Sequence, residues 1–219
     1  MTGYVRELPS SGSIDAHPLQ NDLAPAALPL AYVVGNVRRA DRARAHHGLF
    51  RYYRDPFRTG AFEPCDDPCD CCGRATGYRY HAFLYAEEEI ENICPWCVAD
   101  GSAARKFDGT FVDDYGLSGC RPKAIAELTE RTPQFRSFQE AKWLVHCGEP
   151  AVYLTDAGYD DLQQYGDATL QSVMDDLSDR MSEKKKQEFV RSLRKDGSCV
   201  AHVFECLHCK KVVAYSECD

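Results

Sequence analysis

Two cysteine pairs, Cys69-x-x-Cys72 and Cys94-x-x-Cys97, stand 21 residues apart and constrain this chain more than any other feature. Four thiolates arranged in this way can close a tetrahedral structural metal site. The gap falls just beyond the ~15–20 residues usual for a ribbon of this kind. Gly73 follows Cys72, as suits a knuckle whose backbone amides wrap a sulfur and favour a residue without Cβ. Cys94-Pro-Trp-Cys97 precedes an expected helix, which sets its thiols near the positive end of a helix dipole. Knuckle, hairpin and ligands at a helix start together describe a treble-clef-like finger. Zinc bound there would contribute on the order of 10 kcal/mol or more to folding.

The competing reading of Cys94 and Cys97 is a redox dithiol of the thioredoxin type. No βαβ pattern precedes the pair, and a second pair stands at metal-site spacing, so structural zinc is the better reading. Cys65 and Cys71 fit the knuckle spacing poorly and are read as spare thiols. A third pair, Cys206-x-x-Cys209, needs two more ligands for a second zinc. Cys147 and His146 are the first candidates, with Cys199, His202, His208 and Cys218 left open. The bland alternative is a set of buried thiols with no metal.

Twelve cysteines in 219 residues would suggest disulfides in a secreted chain. No basic segment followed by an apolar one marks the start, so the expectation is the reducing cytoplasm, with thiolates serving metal. A net charge of −8 and a pI near 5.4 argue against broad nucleic-acid binding. The longest apolar stretch, 23–34, contains Pro25 and Pro29 and is too short to span a bilayer.

Residues 1–47 read as a flexible leader, rich in serine and proline and ending in a basic stretch with Arg38, Arg39, Arg42 and Arg44. Residues 48–219 read as one zinc-binding domain of class α+β, with ribbon-like hairpins packed against several helices. Its first cysteine site spans 65–107 and its C-terminal site 143–218. Residues 76–85 are expected as a strand with 87–93 as its hairpin partner, and 98–107 as a helix weakened by Gly101. Helices are also expected over 121–132 and 138–146, with a strand at 151–154. Two further helices carry Leu170, Val173, Met174 and Leu177, and then Phe189, Val190 and Leu193. Residues 200–215 alternate as a hairpin around the third cysteine pair.

Glu87, Glu88, Glu89 and Glu91 read as a solvated turn, and Asp113-Asp114 as local hydrogen-bonding groups rather than a catalytic dyad. Lys184, Lys185 and Lys186 with Arg191, Arg194 and Lys195 form a basic helix face beside Asp175, Asp176 and Asp179, best read as a solvated surface. There is no phosphate-binding loop, dinucleotide fingerprint, zinc-protease helix or nucleophile elbow.

Several blocks together resemble the CbrC family of bacterial proteins. They are Phe50-x-Tyr-x-x-Asp-Pro-x-x-Thr-Gly60, Cys69-x-x-Cys72-Gly, Thr76-Gly-Tyr, Tyr85-Ala-Glu-Glu-Glu and Ile93-Cys-Pro-Trp-Cys-Val-Ala-Asp-Gly-Ser102. Phe107-Asp-Gly, Trp143-x-x-His-Cys147 and Cys206-x-x-Cys-Lys complete the match, which runs from about Gly48 onward. The family lacks an assigned activity, so the resemblance implies metal positions at Cys69, Cys72, Cys94, Cys97, Cys147, Cys206 and Cys209 but no reaction. The expected function is a zinc-stabilised binding protein whose partner is a protein or small ligand. Tyr52, Tyr53, Phe57, Tyr78, Tyr80 and Trp96 are candidates for its recognition surface, or for packing around the metal. The alternatives are a zinc hydrolase with an open C-terminal site, assisted by Asp113, Asp114 or His146, and a thiol redox protein acting through Cys94 and Cys97.

Overall fold

The alternation over residues 200–215 builds an antiparallel hairpin, and much of the chain is arranged around it. The computed structural model describes residues 48–139 and 141–219; the leader at 1–47 lies outside them. The strands are β1 (Phe62–Pro68), β2 (Ala75–Tyr80), β3 (Val145–His146), β4 (Glu149–Pro150), β5 (Val152–Ala157), β6 (Cys199–Glu205) and β7 (Val212–Cys218). The helices are α1 (Pro95–Ala99), α2 (Ser102–Phe107), α3 (Pro122–Arg131), α4 (Tyr159–Gln163), α5 (Asp167–Asp176) and α6 (Glu183–Ser192). Strands pair antiparallel as β1–β2, β3–β4 and β5–β6–β7, so the class is α+β with small sheets.

Strand β6 is the centre of the largest sheet and is covered on both faces, so that 200–204 are buried without a break, His202 included. On one face Phe204 and the His202 ring meet Phe135, Tyr153 and Tyr215 in an aromatic core. On the other, Ala201 and Val203 pack with Leu162, Val173, Val190 and Leu193 from the α4–α6 region. Each of the buried valines and leucines in this layer contributes about 1.5–3 kcal/mol.

Both edges of this sheet are sealed, which keeps their backbone groups from templating another strand. Ser172 and Thr169 of α5 hydrogen-bond the outer edge of β7: the Ser172 hydroxyl donates to Ala214 O and accepts the Ala214 amide, and the Thr169 hydroxyl donates to Val212 O. Along β5, the Tyr153 amide donates to Tyr52 O and the Arg54 amide to Tyr153 O. The segment just ahead of β1 therefore completes the far edge.

Three sequence expectations need correction. Strand β2 pairs with β1, which precedes the first cysteine pair, and not with 87–93. Pro64 and Pro68 mask β1 in the sequence but are tolerated in a sheet made only of edges. The helix expected over 98–107 breaks at Asp100–Gly101, where Gly101 takes a φ of 70°. The helix expected over 138–146 does not form. Its backbone donors go elsewhere: the amides of Phe138 and Gln139 to the Glu217 carboxylate and that of Lys142 to the Tyr215 hydroxyl, before 145–146 enters β3. Among the described residues, no helix is long and apolar enough to cross a membrane.

Candidate metal centres

The β1–β2 turn carries the first two cysteines. The Gly73 amide donates to Cys69 O and the Cys69 amide to Arg74 O, closing a tight knuckle in which Gly73 adopts a φ of 71°. Cys94 is the N-cap of α1, with Pro95 in the first turn, and Cys97 follows on the same short helix. The Cys94 amide donates to the Cys69 sulfur at 3.3 Å, so knuckle and helix start are already in contact. One potential ligand atom from each of Cys69, Cys72, Cys94 and Cys97 lies within 4.8 Å of the other three.

The surroundings hold this geometry. The Asp70 amide donates to Asn92 O, and the Asn92 amide returns a bond to the Asp70 carboxylate. Lys106 of α2 reaches over the knuckle, its ammonium donating to the carbonyls of Asp70 (2.6 Å) and Cys71 (3.0 Å). Cys69, Cys94 and Cys97 are buried. Burial alone would raise the Cys72 thiol, but hydrogen bonds from the Arg74 side chain and backbone outweigh it and bring Cys72 to about 6. Burial pushes Cys94 up to about 12. Neither Cys65 nor Cys71 joins this group: Cys65 bonds Asp67 and Asn92, and Cys71 bonds Ser102.

The second centre joins two hairpins. Cys147 and Gly148 form the two-residue turn between β3 and β4, with φ of 54° and 71°, the left-handed pair that a tight antiparallel turn demands. Glycine meets that demand freely; Cys147 meets it at a cost that places its sulfur beside the β6–β7 tip. There, the Lys210 amide donates to Cys206 O and the Cys206 amide to Lys211 O. His146 Nδ1 lies 3.2 Å from the Cys147 sulfur and 3.4 Å from that of Cys209. His146, Cys147, Cys206 and Cys209 also bring one donor atom each within 4.8 Å of one another. Cys206 is buried, while Cys147 and Cys209 are exposed. The neighbouring Cys206 and Cys209 thiols raise Cys147 to about 11. At Cys206 burial works upward, but backbone hydrogen bonds from Cys209 and His208 prevail and bring it to about 6.

The eight residues named from spacing thus fall into two groups of four that could each hold a metal ion. The four alternatives left open for the second group go elsewhere. Cys199 and Cys218 form a disulfide at the open end of the β6–β7 hairpin, a departure from the expectation of thiolates alone. His202 is buried between Asp156 (2.7 Å from Nδ1) and Glu217 (2.9 Å from Nε2). His208 bonds Glu149 at 2.6 Å.

Glu149 went unnoticed in the sequence, where a lone glutamate carries no signal. It is 2% exposed and binds Arg51, Arg121, the Tyr52 hydroxyl and His208. Burial opposes its charge, yet Arg51, the Tyr52 hydroxyl and His208 hold it at about 2. Among the aromatics proposed for recognition, Tyr52, Tyr53 and Tyr80 are buried, so they serve packing; among the described residues the exposed large rings are Phe83, Tyr85, Tyr115 and Phe138.

Residues 48–218 match the model of an uncharacterised protein family, UPF0167. The chain belongs to this family. A UPF0167 protein of Pseudomonas aeruginosa is 35% identical over 164 residues, covering 73% of this chain and 90% of that protein. A UPF0167 protein of Mycobacterium bovis is 36% identical over 176 residues, covering 77% of this chain and 91% of its own length, and one of Mycobacterium tuberculosis matches equally. No solved structure matches the chain. UPF0167 is the family name that these three relatives carry; none of the three is named CbrC.

Proposed function

We propose that this UPF0167 chain is a bacterial zinc protein in which both four-residue sets hold a structural Zn2+ ion and display a binding surface to a protein or small ligand. Under this reading the CbrC resemblance points to the same group of proteins, the first centre is a treble-clef-like finger, and the protein works in the cytoplasm. The observation that carries the reading is the convergence of two separate donor sets, one of four thiols and one of three thiols and an imidazole. Soft sulfur and imidazole donors in fours are the donor set of closed, tetrahedral zinc.

Four protein ligands leave no position for a reacting water, which favours scaffold over hydrolase. Asp113 is also engaged locally, its carboxylate accepting the Tyr115 amide. Cys94 and Cys97, at 1% and 2% exposure, are poorly placed for dithiol exchange with another protein.

The test is metal content per chain on protein purified without added metal, with thiols titrated before and after chelation. Two zinc ions per chain, with the four ligand thiols of the first centre and the three of the second unmasked only by chelator, is the expected result. Metal-free, folded protein would overturn the proposal.

A further inference from the structure

We infer that the C-terminal centre is an oxidation-responsive metal site: a hydroperoxide joins Cys147 to Cys209 as a disulfide and expels the metal, while the first centre keeps its own. The inference rests on the zinc reading of that centre.

The two centres differ in what solvent can reach. In the first, Cys69, Cys94 and Cys97 are buried, Cys72 is half-buried, none is exposed, and Lys106 clamps the knuckle from α2. In the second, Cys147 and Cys209 are both exposed and only Cys206 is buried. Oxidation of cysteine follows thiolate character and access, and metal binding supplies the first to every ligand in both centres. Access therefore decides between them.

The exposed pair is also placed to finish the reaction. Their donor atoms lie within 4.8 Å of each other, although they come from different hairpins. A disulfide needs about 2.05 Å, a movement that the exposed two-residue turn at Cys147–Gly148 can supply. One thiolate attacks a peroxide oxygen, forming an S–O bond as the O–O bond breaks and hydroxide leaves. The second thiolate attacks that sulfur, forming the S–S bond as the S–O bond breaks and a second hydroxide leaves. Two thiolates lose two electrons, hydrogen peroxide gains them, and two protons convert the hydroxides to water. The metal retains only His146 and Cys206 and dissociates. The new bridge ties the β3–β4 turn to the β6–β7 tip in place of the metal.

The test treats the full-length, zinc-loaded protein with hydrogen peroxide in the presence of a chromogenic zinc chelator, and maps disulfides by mass spectrometry after alkylation. Release of one zinc per chain is expected, at least tenfold faster than the second, with a new Cys147–Cys209 bridge. A thiol reductant plus zinc should reopen the Cys147–Cys209 bridge and return one zinc per chain, and Cys120→Ser, which alters the half-buried thiol near Glu149, should leave the release unchanged. Simultaneous loss of both ions, earlier loss from the first centre, or a Cys206–Cys209 bridge would overturn the inference while leaving the zinc reading intact. Purified protein with zinc at the first centre alone would instead remove the zinc reading of the C-terminal centre, and this inference with it.

Discussion

Gly73 and Lys210 occupy the same place in two turns with the same hydrogen bonds. Each follows the second cysteine of a Cys-x-x-Cys pair, donates its amide to the carbonyl of the first cysteine, and has a positive φ, 71° at Gly73 and 61° at Lys210. A side chain in this left-handed conformation costs ~1–2 kcal/mol relative to glycine. Nothing lies within 4 Å of a Cβ built on Gly73, so Gly73→Ala tests φ alone. It should lower stability by about 1 kcal/mol, and Lys210→Gly should raise it by a similar amount. Urea unfolding of the metal-loaded variants reads both.

Glu149 holds Arg51, Arg121, Tyr52 and His208 beside the Cys147–Gly148 turn. Glu149→Ala would leave the buried Tyr52 hydroxyl without its acceptor while Arg51, Arg121 and His208 stay open to water, and should cost about 1–3 kcal/mol. Glu149→Gln keeps the shape and one acceptor oxygen, and should cost less. Thermal unfolding separates the two; equal and negligible losses would show that the carboxylate merely sits among solvated arginines.

The His202 network sets a window in pH. Burial opposes charge on Glu217, but His202, Ser137 and the amides of Phe138 and Gln139 outweigh it and take the carboxyl from 4.5 to about 2. Its contribution, about 3 kcal/mol, is therefore full above pH 4.5 and lost as pH falls through about 2. Burial likewise opposes charge on His202, and Asp156 and Glu217 prevail, raising it above 6.5. That contribution is full below pH 6.5 and fades as pH rises through the raised value. The stability difference between the native chain and His202→Gln should peak between about pH 4.5 and 6.5. Subtracting the two profiles removes the proton competition at the cysteines, which they share.

Cys94→Ser should lose metal and solubility together, because its sulfur and amide both belong to the buried first centre. Cys209→Ser, at the exposed tip, should lose one metal ion and keep the fold. Metal analysis on the soluble fractions distinguishes them. A Cys94→Ser protein that stayed folded with all its zinc would refute the first centre.

The parts of this molecule that could be read from sequence are those set by local periodicity. Leu170, Val173 and Met174 on α5, and Phe189 and Val190 on α6, repeat at helical spacing and lie on helices. The cysteine pairs could be read because two ligands in one turn share a short loop. What could not be read depends on partners distant in the chain. The amides of 138–139 abandon a helix for Glu217, and Cys199 meets Cys218 because of a strand register. In the sequence His146 stands beside Cys147 at the end of an expected helix, while His202 and His208 stay open; the structure separates them by burying one among carboxylates and turning the other toward Glu149. Strand β1 was hidden by Pro64, Asp66, Asp67 and Pro68, residues that an edge tolerates and a central strand would not.

The Cys199–Cys218 bridge closes the end of the chain into a ring, its Cα atoms 4.1 Å apart across a sequence separation of 19. Tension applied at Asp219 would not unzip β7. It would pass through the sulfurs to Cys199 and load the connection to α6, leaving the β6–β7 tip and its cysteines outside the line of force. Stretched to full length, the oxidised chain would be shorter than the reduced one by about 60 Å, the reach of the bypassed segment at ~3.3–3.6 Å per residue less the 4.1 Å that the bridge itself spans.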